Sequence, residues 1–179
     1  MTSTAGSARS SSAARFEALY RAHATDIYAY VASLLGDRPS AEDVTALAFE
    51  RAYRRRRLFS PRRGTERAWL FGIARNAALD ELRRRRRHPQ APGGVDLPEA
   101  AHAQESGPDQ LAELAFRRGQ VRAALGKLRP REREIVLLKF HGGLSTAELA
   151  RALGTSQGTA ATRLYRAVKR LREICDEAS

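Results

Sequence analysis

The sequence holds one cysteine, Cys175, and one methionine and one tryptophan, Met1 and Trp69. A single thiol excludes an internal disulfide framework and fits a reducing compartment. No apolar run approaches the roughly 18 residues of a membrane span. The opening stretch "MTSTAGSARSSSAA" has no apolar core of the kind that marks a secretory leader, so a soluble cytoplasmic protein with no membrane contact is expected. Residues 1–14, rich in Ser, Ala and Gly, read as a disordered tail. Lysine is scarce too. Of 32 basic residues only Lys127, Lys139 and Lys169 are lysine, and the other 29 are arginine.

That imbalance has two explanations. Arginine forks onto phosphate and guanine with two parallel bonds, so a chain of net charge +12 suits a polyanionic partner. A GC-rich genome inflates arginine and alanine as well, and both causes can hold.

Signals of catalysis and of metal binding are missing. His23, His88, His102 and His141 are scattered without ligand spacing, and there is no phosphate loop and no G-x-S-x-G. Asp80 and Glu81 are neighbours and so leave a helix in different directions. Neither an enzyme nor a bound cofactor is predicted.

No segment alternates apolar and polar residues with period 2, whereas helical spacing recurs throughout. An all-α chain is expected: two small helical domains, 15–87 and 111–179, joined by a flexible linker, 88–110. The linker "HPQAPGGVDLPEAAHAQESGPDQ" has Pro89, Pro92, Pro98 and Pro108, four acids and no Lys or Arg, and cannot bury enough apolar surface to fold alone. In the first domain Phe16, Leu19, Tyr20, His23, Ile27, Tyr30, Val31 and Leu34 mark a helix that Gly36 closes. Ser40 then reads as the cap of a second helix, with Glu42 and Asp43 in its first turn and Val44, Leu47, Ala48 and Ala52 on its apolar stripe. After the loop "SPRRGTE" a third helix starts near Glu66, with Trp69, Leu70, Ile73, Ala74, Ala77 and Leu82 inward. Phe59, Trp69 and Phe71 among many arginines suit unpaired nucleic acid, since rings stack on bases and cations follow the backbone. A core role for Trp69, and a helix-dipole role for Arg83–Arg87, explain the same residues.

In the second domain Leu111, Leu114, Ala115, Val121, Leu125 and Leu128 make one helix. Pro130 opens the next, which carries Ile135, Val136, Leu138 and Phe140 and stops at Gly142-Gly143. "STAE", Ser145–Glu148, is a capping box before a short helix; Gly154 turns the chain and Ser156 caps the last helix. A short capped helix, a turn and a basic helix make the pattern of a helix-turn-helix. At about 100° per residue, Ala160, Leu164, Ala167 and Leu171 share the inner arc. Gly158, Thr159, Thr162, Tyr165, Arg166 and Lys169 face outward, with Arg163 on one flank and Ala161 on the other. Small residues let a backbone approach a groove, and cations bond guanine edges or phosphate. Taken alone, the same face also fits an ordinary solvated surface.

"SAEDVTALAFERAYRRRRLF", "RAWLFGIARNAALDELRRRRR" and "LRPREREIVLLKFHGGLSTAELARALGTSQGTAATRLYRAVKRLR" resemble, in that order, the motifs of bacterial sigma factors of the extracytoplasmic-function group. The resemblance runs from Arg15 to about Arg172. It implies a subunit that binds the RNA polymerase core, at the largest-subunit clamp and the flap, and directs it to promoter DNA, with an anti-sigma factor as a further partner. It implies that Glu42, Asp43, Ala46, Leu47, Glu50 and Arg51 meet the polymerase. Arg62, Arg63 and Gly64, with Trp69, Arg75 and Asn76 behind them, would serve the −10 element. Ala161, Thr162, Tyr165 and Arg166, together with Gln157, Thr159, Lys169 and a phosphate-facing Arg163, would serve the −35 element. The chain departs from the family pattern at three places: Ala46-Leu47 lacks a common carboxylate, Ala160-Ala161 lacks a common cation, and Arg129 stands before Pro130. A stand-alone helix-turn-helix regulator and an arginine-rich RNA-binding protein are the other readings of these features.

Overall fold

A computed structural model describes residues 4–88 and 108–177, which are helical with turns and contain no strand. The chain divides into two units, Met1–Asp96 and Leu97–Ser179. Most of the linker, residues 89–107, lies outside the described residues.

The first unit is a bundle of α1 (Thr4–Leu35), α2 (Arg38–Arg55) and α3 (Glu66–Arg87), with all three pairs in contact. Single helical turns at Arg56–Leu58 and Pro61–Arg63 lie between α2 and α3. Ile27, Tyr30 and Val31 of α1 are fully buried, as are Leu70, Phe71 and Ala74 of α3, and Tyr30 meets Phe71 edge-on at 5.5 Å. Ala41, Ala48 and Ala52 let α2 lie close against both, since the side chains at a contact set the distance between helix axes. Tyr20 was expected inside but is exposed at the rim, and Leu47, Trp69 and Leu82 are only half-buried.

Helix α1 runs from Thr4 onward, within the stretch 1–14 read as a tail. Elongating a nucleated helix through alanine and serine costs far less than starting one, and no proline interrupts α1. The cap of α2 is Asp37 and not Ser40. Asp37 is extended (φ −141°, ψ 142°) and its carboxylate accepts the Ser40 N–H at 3.0 Å. Arg85, at the far end of α3, ion-pairs with the same carboxylate and bonds the Leu35 carbonyl at 3.2 Å. Burial alone would raise the pKa of Asp37, but the Ser40 amide and Arg85 outweigh it and hold the group below its ordinary value.

The second unit comprises α4 (Pro108–Lys127), α5 (Pro130–Phe140), α6 (Thr146–Leu153) and α7 (Gln157–Asp176), with α4, α5 and α6 each packed on α7. Helix α4 begins at Pro108, so the last three residues assigned to the linker are helical. Ile135, Val136, Leu137 and Leu138 of α5 and Leu144 and Leu149 make the core. Val121 and Phe140, assigned to apolar stripes, are instead 47 % and 67 % exposed. Pro130 does occupy the first turn of α5, where its missing N–H costs nothing. Gly142 is required by close approach, because a Cβ there would lie 2.3 Å from the Leu138 carbonyl oxygen.

Candidate nucleic-acid interface

The turn between α6 and α7 is built from local bonds. The Ser145 hydroxyl accepts the Glu148 N–H at 3.3 Å, while the Glu148 carboxylate accepts the Ser145 N–H at 3.0 Å and its hydroxyl at 2.8 Å. Gly154 ends α6 in the left-handed region (φ 62°, ψ 42°), which costs a residue with a Cβ and leaves glycine unstrained. Thr155 N–H then returns to the Ala150 carbonyl at 2.9 Å. Ser156 caps α7 by accepting the Thr159 N–H at 3.2 Å.

Ala160 and Ala167 are fully buried and Ile174 nearly so; Leu164 and Leu171 are half-buried. This fixes the rotation of α7 as the apolar arc predicts. Gln157, Thr159, Ala161, Thr162, Arg163, Tyr165, Arg166 and Lys169 are consequently all exposed, Tyr165 at 71 %. The Thr159 hydroxyl is already engaged by the Ser156 hydroxyl at 2.8 Å, so it helps shape the cap. Arg170 pairs with Glu173 at 3.2 Å. Arg163, Arg166 and Lys169 have no acidic partner among the described residues. Three cations spaced three residues apart thus run along one outward edge of the helix.

In the first unit the loop between α2 and α3 carries Arg62, exposed, and Arg63 in the same single turn. Gly64 follows at φ 132°, and Thr65 caps α3 by accepting the Ala68 N–H at 3.2 Å. Trp69 is neither fully core nor freestanding: it is half-buried, with its ring 5.6 Å from that of Phe59 and tilted by 54°. Asn76, nearly three turns along α3, is exposed and accepts from Arg75 at 3.4 Å. The loop residues and Trp69 border the N-terminal end of α3, whereas Asn76 lies midway along it.

Along α2, Glu42, Asp43, Ala46 and Glu50 are exposed, and Leu47 and Arg51 are half-buried. Glu42 bonds Arg38 at 2.9 Å and Glu50 bonds Arg54 at 2.6 Å, both one turn apart. Arg51 turns to Asp80 of α3 at 3.1 Å, a cross-helix tie that the sequence did not reveal. Also unforeseen are Arg15 and Arg67, which join α1 to the start of α3. Among the described residues no cluster of His, Cys, Asp or Glu could hold a metal, and no helix is long and apolar enough to cross a membrane.

Comparison with known proteins agrees with this geometry. Residues 19–88 match Sigma-70 region 2 and residues 118–171 match Sigma-70, region 4. The chain is 34 % identical to the ECF RNA polymerase sigma factor SigL of Mycobacterium tuberculosis over 170 residues, covering 95 % of this chain and 94 % of the relative. It is 33 % identical to the ECF RNA polymerase sigma factor BldN of Streptomyces coelicolor, covering 93 % of this chain and 62 % of the relative. Among solved structures it resembles the sigma factor RpoE of Bartonella quintana, crystallised with the anti-sigma factor NepR (TM-score 0.70, 26 % identity, 90 % of this chain and 97 % of that one). It also resembles CnrH in complex with the cytosolic domain of CnrY (TM-score 0.64, 26 % identity, 92 % and 89 %). The chain belongs to the sigma-70 family, in its extracytoplasmic-function group: it is an RNA polymerase sigma factor that directs transcription initiation.

Proposed function

We propose that the two units divide promoter reading between them. Helix α7 enters the major groove of the −35 element. Thr162, Tyr165 and Arg166 meet base edges, Arg163 and Lys169 meet phosphates, and Gln157, Thr159 and Ala161 line the approach of the helix N-terminus. The observation that carries this reading is the edge formed by Arg163, Arg166 and Lys169, exposed and without acids among the described residues. Surface cations are easily paired within a protein, and α7 pairs Arg170 in that way, so an unpaired row favours an external polyanion.

The loop at Arg62, Arg63 and Gly64 takes an unpaired base of the −10 element, with Trp69, Arg75 and Asn76 behind it. The exposed edge of α2 from Glu42 through Glu50 docks on the clamp of the largest polymerase subunit, with Arg51 fixing α2 to α3 from within. The second unit meets the flap. The protein acts in the cytoplasm and has no catalytic activity of its own. Its relatives RpoE and CnrH were solved with partners, NepR being an anti-sigma factor, and the same class of partner covers the polymerase-binding faces here.

The test is run-off transcription with purified core polymerase, followed by mapping of the transcript start. Specific initiation that depends on both promoter elements supports the reading, and transcription at the core-only level refutes it. A gel shift with and without core separates it from a stand-alone regulator, which would bind its duplex equally well alone.

A further inference from the structure

Helix α3 begins with two adjacent residues, Glu66 and Arg67, and each is tied to α1 in the opposite electrical sense. Arg15 of α1 donates to Oε1 of Glu66 through Nε at 2.9 Å and Nη2 at 2.5 Å. The same guanidinium lies 6.0 Å from the ring centroid of Phe59. In return Arg67 of α3 donates to Oδ2 of Asp26 at 2.8 Å, meets Nδ1 of His23 at 3.1 Å, and stands 5.2 Å from the Phe71 ring centroid. His23 and Asp26 lie one turn apart on α1, so a single forked side chain reaches both. Burial, and then the Arg67 charge, lower the pKa of His23, which favours the neutral ring that can accept the Arg67 N–H.

One exposed ion pair on such a bundle stabilises it little. Two of opposite sense on consecutive residues do something else. Together they fix both the slide and the rotation of the first turn of α3 against α1. That turn follows directly on the loop and leads into Trp69. Within the loop Phe59 N–H reaches the Arg56 carbonyl at 3.4 Å, Gly64 N–H reaches that of Pro61 at 3.2 Å, and the Arg56 guanidinium donates to the Tyr53 carbonyl at 2.7 Å, with no side-chain cap on either single turn. The contacts at its ends add to these ties. At the α3 end the determinants are Arg15, Glu66 and Arg67, and Arg15 also touches Phe59, the ring partner of Trp69.

We propose that Arg15 and Glu66, with Arg67, Asp26 and His23, are positioning residues that set the space beside Phe59 and Trp69 and thereby the choice of base taken from the −10 element. This rests on the reading that the loop captures an unpaired base.

The test uses holoenzyme made with the full chain and single-stranded oligonucleotides carrying the mapped −10 sequence, unchanged or altered one base at a time. The readout is the ratio of cognate to altered binding, alongside core affinity and the thermal midpoint. Arg15→Gln and Glu66→Gln each lower the ratio by about two- to fivefold, as expected for the loss of one exposed pair, leave core affinity unchanged and lower the melting midpoint by at most a few degrees. The reversed pair, Arg15→Glu with Glu66→Arg, remakes the ion pair without the Arg15–Phe59 contact and recovers part of the ratio. Arg67→Lys keeps the charge but loses the fork, and lowers the ratio as well. Arg62→Ala, at an exposed loop position, is the control. If it weakens oligonucleotide binding while the two glutamine variants keep a wild-type ratio, the brace is refuted and base capture stands. If Arg62→Ala too leaves binding unchanged, base capture by the loop fails and the brace proposal falls with it.

Discussion

Arg166 and Arg163 stand three residues apart on α7, both exposed and both without an acidic partner among the described residues, yet their substitution should have different signatures. On the proposed reading Arg166 meets a base edge and Arg163 a phosphate. A bidentate arginine–base contact discriminates by about 1–3 kcal/mol. At 1.4 kcal/mol per factor of ten, Arg166→Ala should weaken holoenzyme binding about 5- to 140-fold on the cognate −35 element. On a scrambled element, where no base contact is made, the loss should be small. Arg163→Ala should weaken both duplexes by a similar factor. It should also reduce the slope of log affinity against log salt by about 0.9, the counterions released at one phosphate. Neither residue is buried, so folding should be unaffected, as a thermal melt can verify. The assay is fluorescence anisotropy of holoenzyme on the two duplexes across a salt series. Equal loss on both duplexes for Arg166→Ala, with a salt slope that also falls, would show that Arg166 is a second phosphate contact and that base reading lies elsewhere.

Ser145→Ala removes the acceptor for the Glu148 N–H and should destabilise the second unit by about 1 kcal/mol, seen as a fall of about 4–8 °C in its melting midpoint; no shift would mean that the short helix α6 does not depend on its cap. Asp37→Ala loses both the α2 cap and a partner of Arg85 and should cost about 1–2 kcal/mol in urea unfolding, whereas Asp37→Asn keeps the cap bond and should cost less. The pKa of His23 is lowered in the folded state by burial and then by Arg67, against the opposing pull of Asp26 and Glu66. Below about pH 6.5 the unfolded chain therefore takes up that proton before the folded one does, and stability falls as pH drops through this window. Urea unfolding at pH 7.5 and 5.5 should show a loss that shrinks in His23→Gln.

Features decided within four residues were legible in the sequence. The Ser145–Glu148 box, the Ser156 cap, the Pro130 start and the Gly154 turn each depend on neighbours in the chain, and the structure has them all. The inner arc of α7 was legible for a related reason: helical period alone dictates that Ala160 and Ala167 share a side. Most of what failed was decided by distant residues, the cap of α2 being the local exception. Ser40 and Asp37 are both competent caps, and the local sign that favours Asp37 is Pro39 in the first turn of the helix. Arg85, 48 residues away, ties Asp37 to the end of α3. Helical period likewise gives the direction of a stripe without saying whether another element covers it, which is why Val121 and Phe140 were placed inside and lie outside. Arg15 and Arg67 were invisible as positioning candidates because their partners are 51, 41 and 44 residues away.

The arginine excess, ambiguous as composition, separates into two groups once neighbours are known. In the first unit four arginines span helices: Arg15 to Glu66, Arg51 to Asp80, Arg67 to Asp26 and His23, and Arg85 to Asp37 and the Leu35 carbonyl, with Arg85 also pairing with Glu81 of its own helix. Three acceptors around one side chain match a planar fork of five N–H donors, and a lysine at position 85 could not hold the same directions. On α7 the cations at 163, 166 and 169 point away from the fold and leave their charge to solvent or a partner. Codon bias explains why arginine is abundant. It does not explain why four arginines of the first unit reach acids across helix boundaries while a row of three cations on α7 is left unmatched among the described residues. The first pattern fits a bundle whose small alanine-rich contacts need polar ties to fix their register. The second fits a helix whose cations are matched only when a duplex is bound.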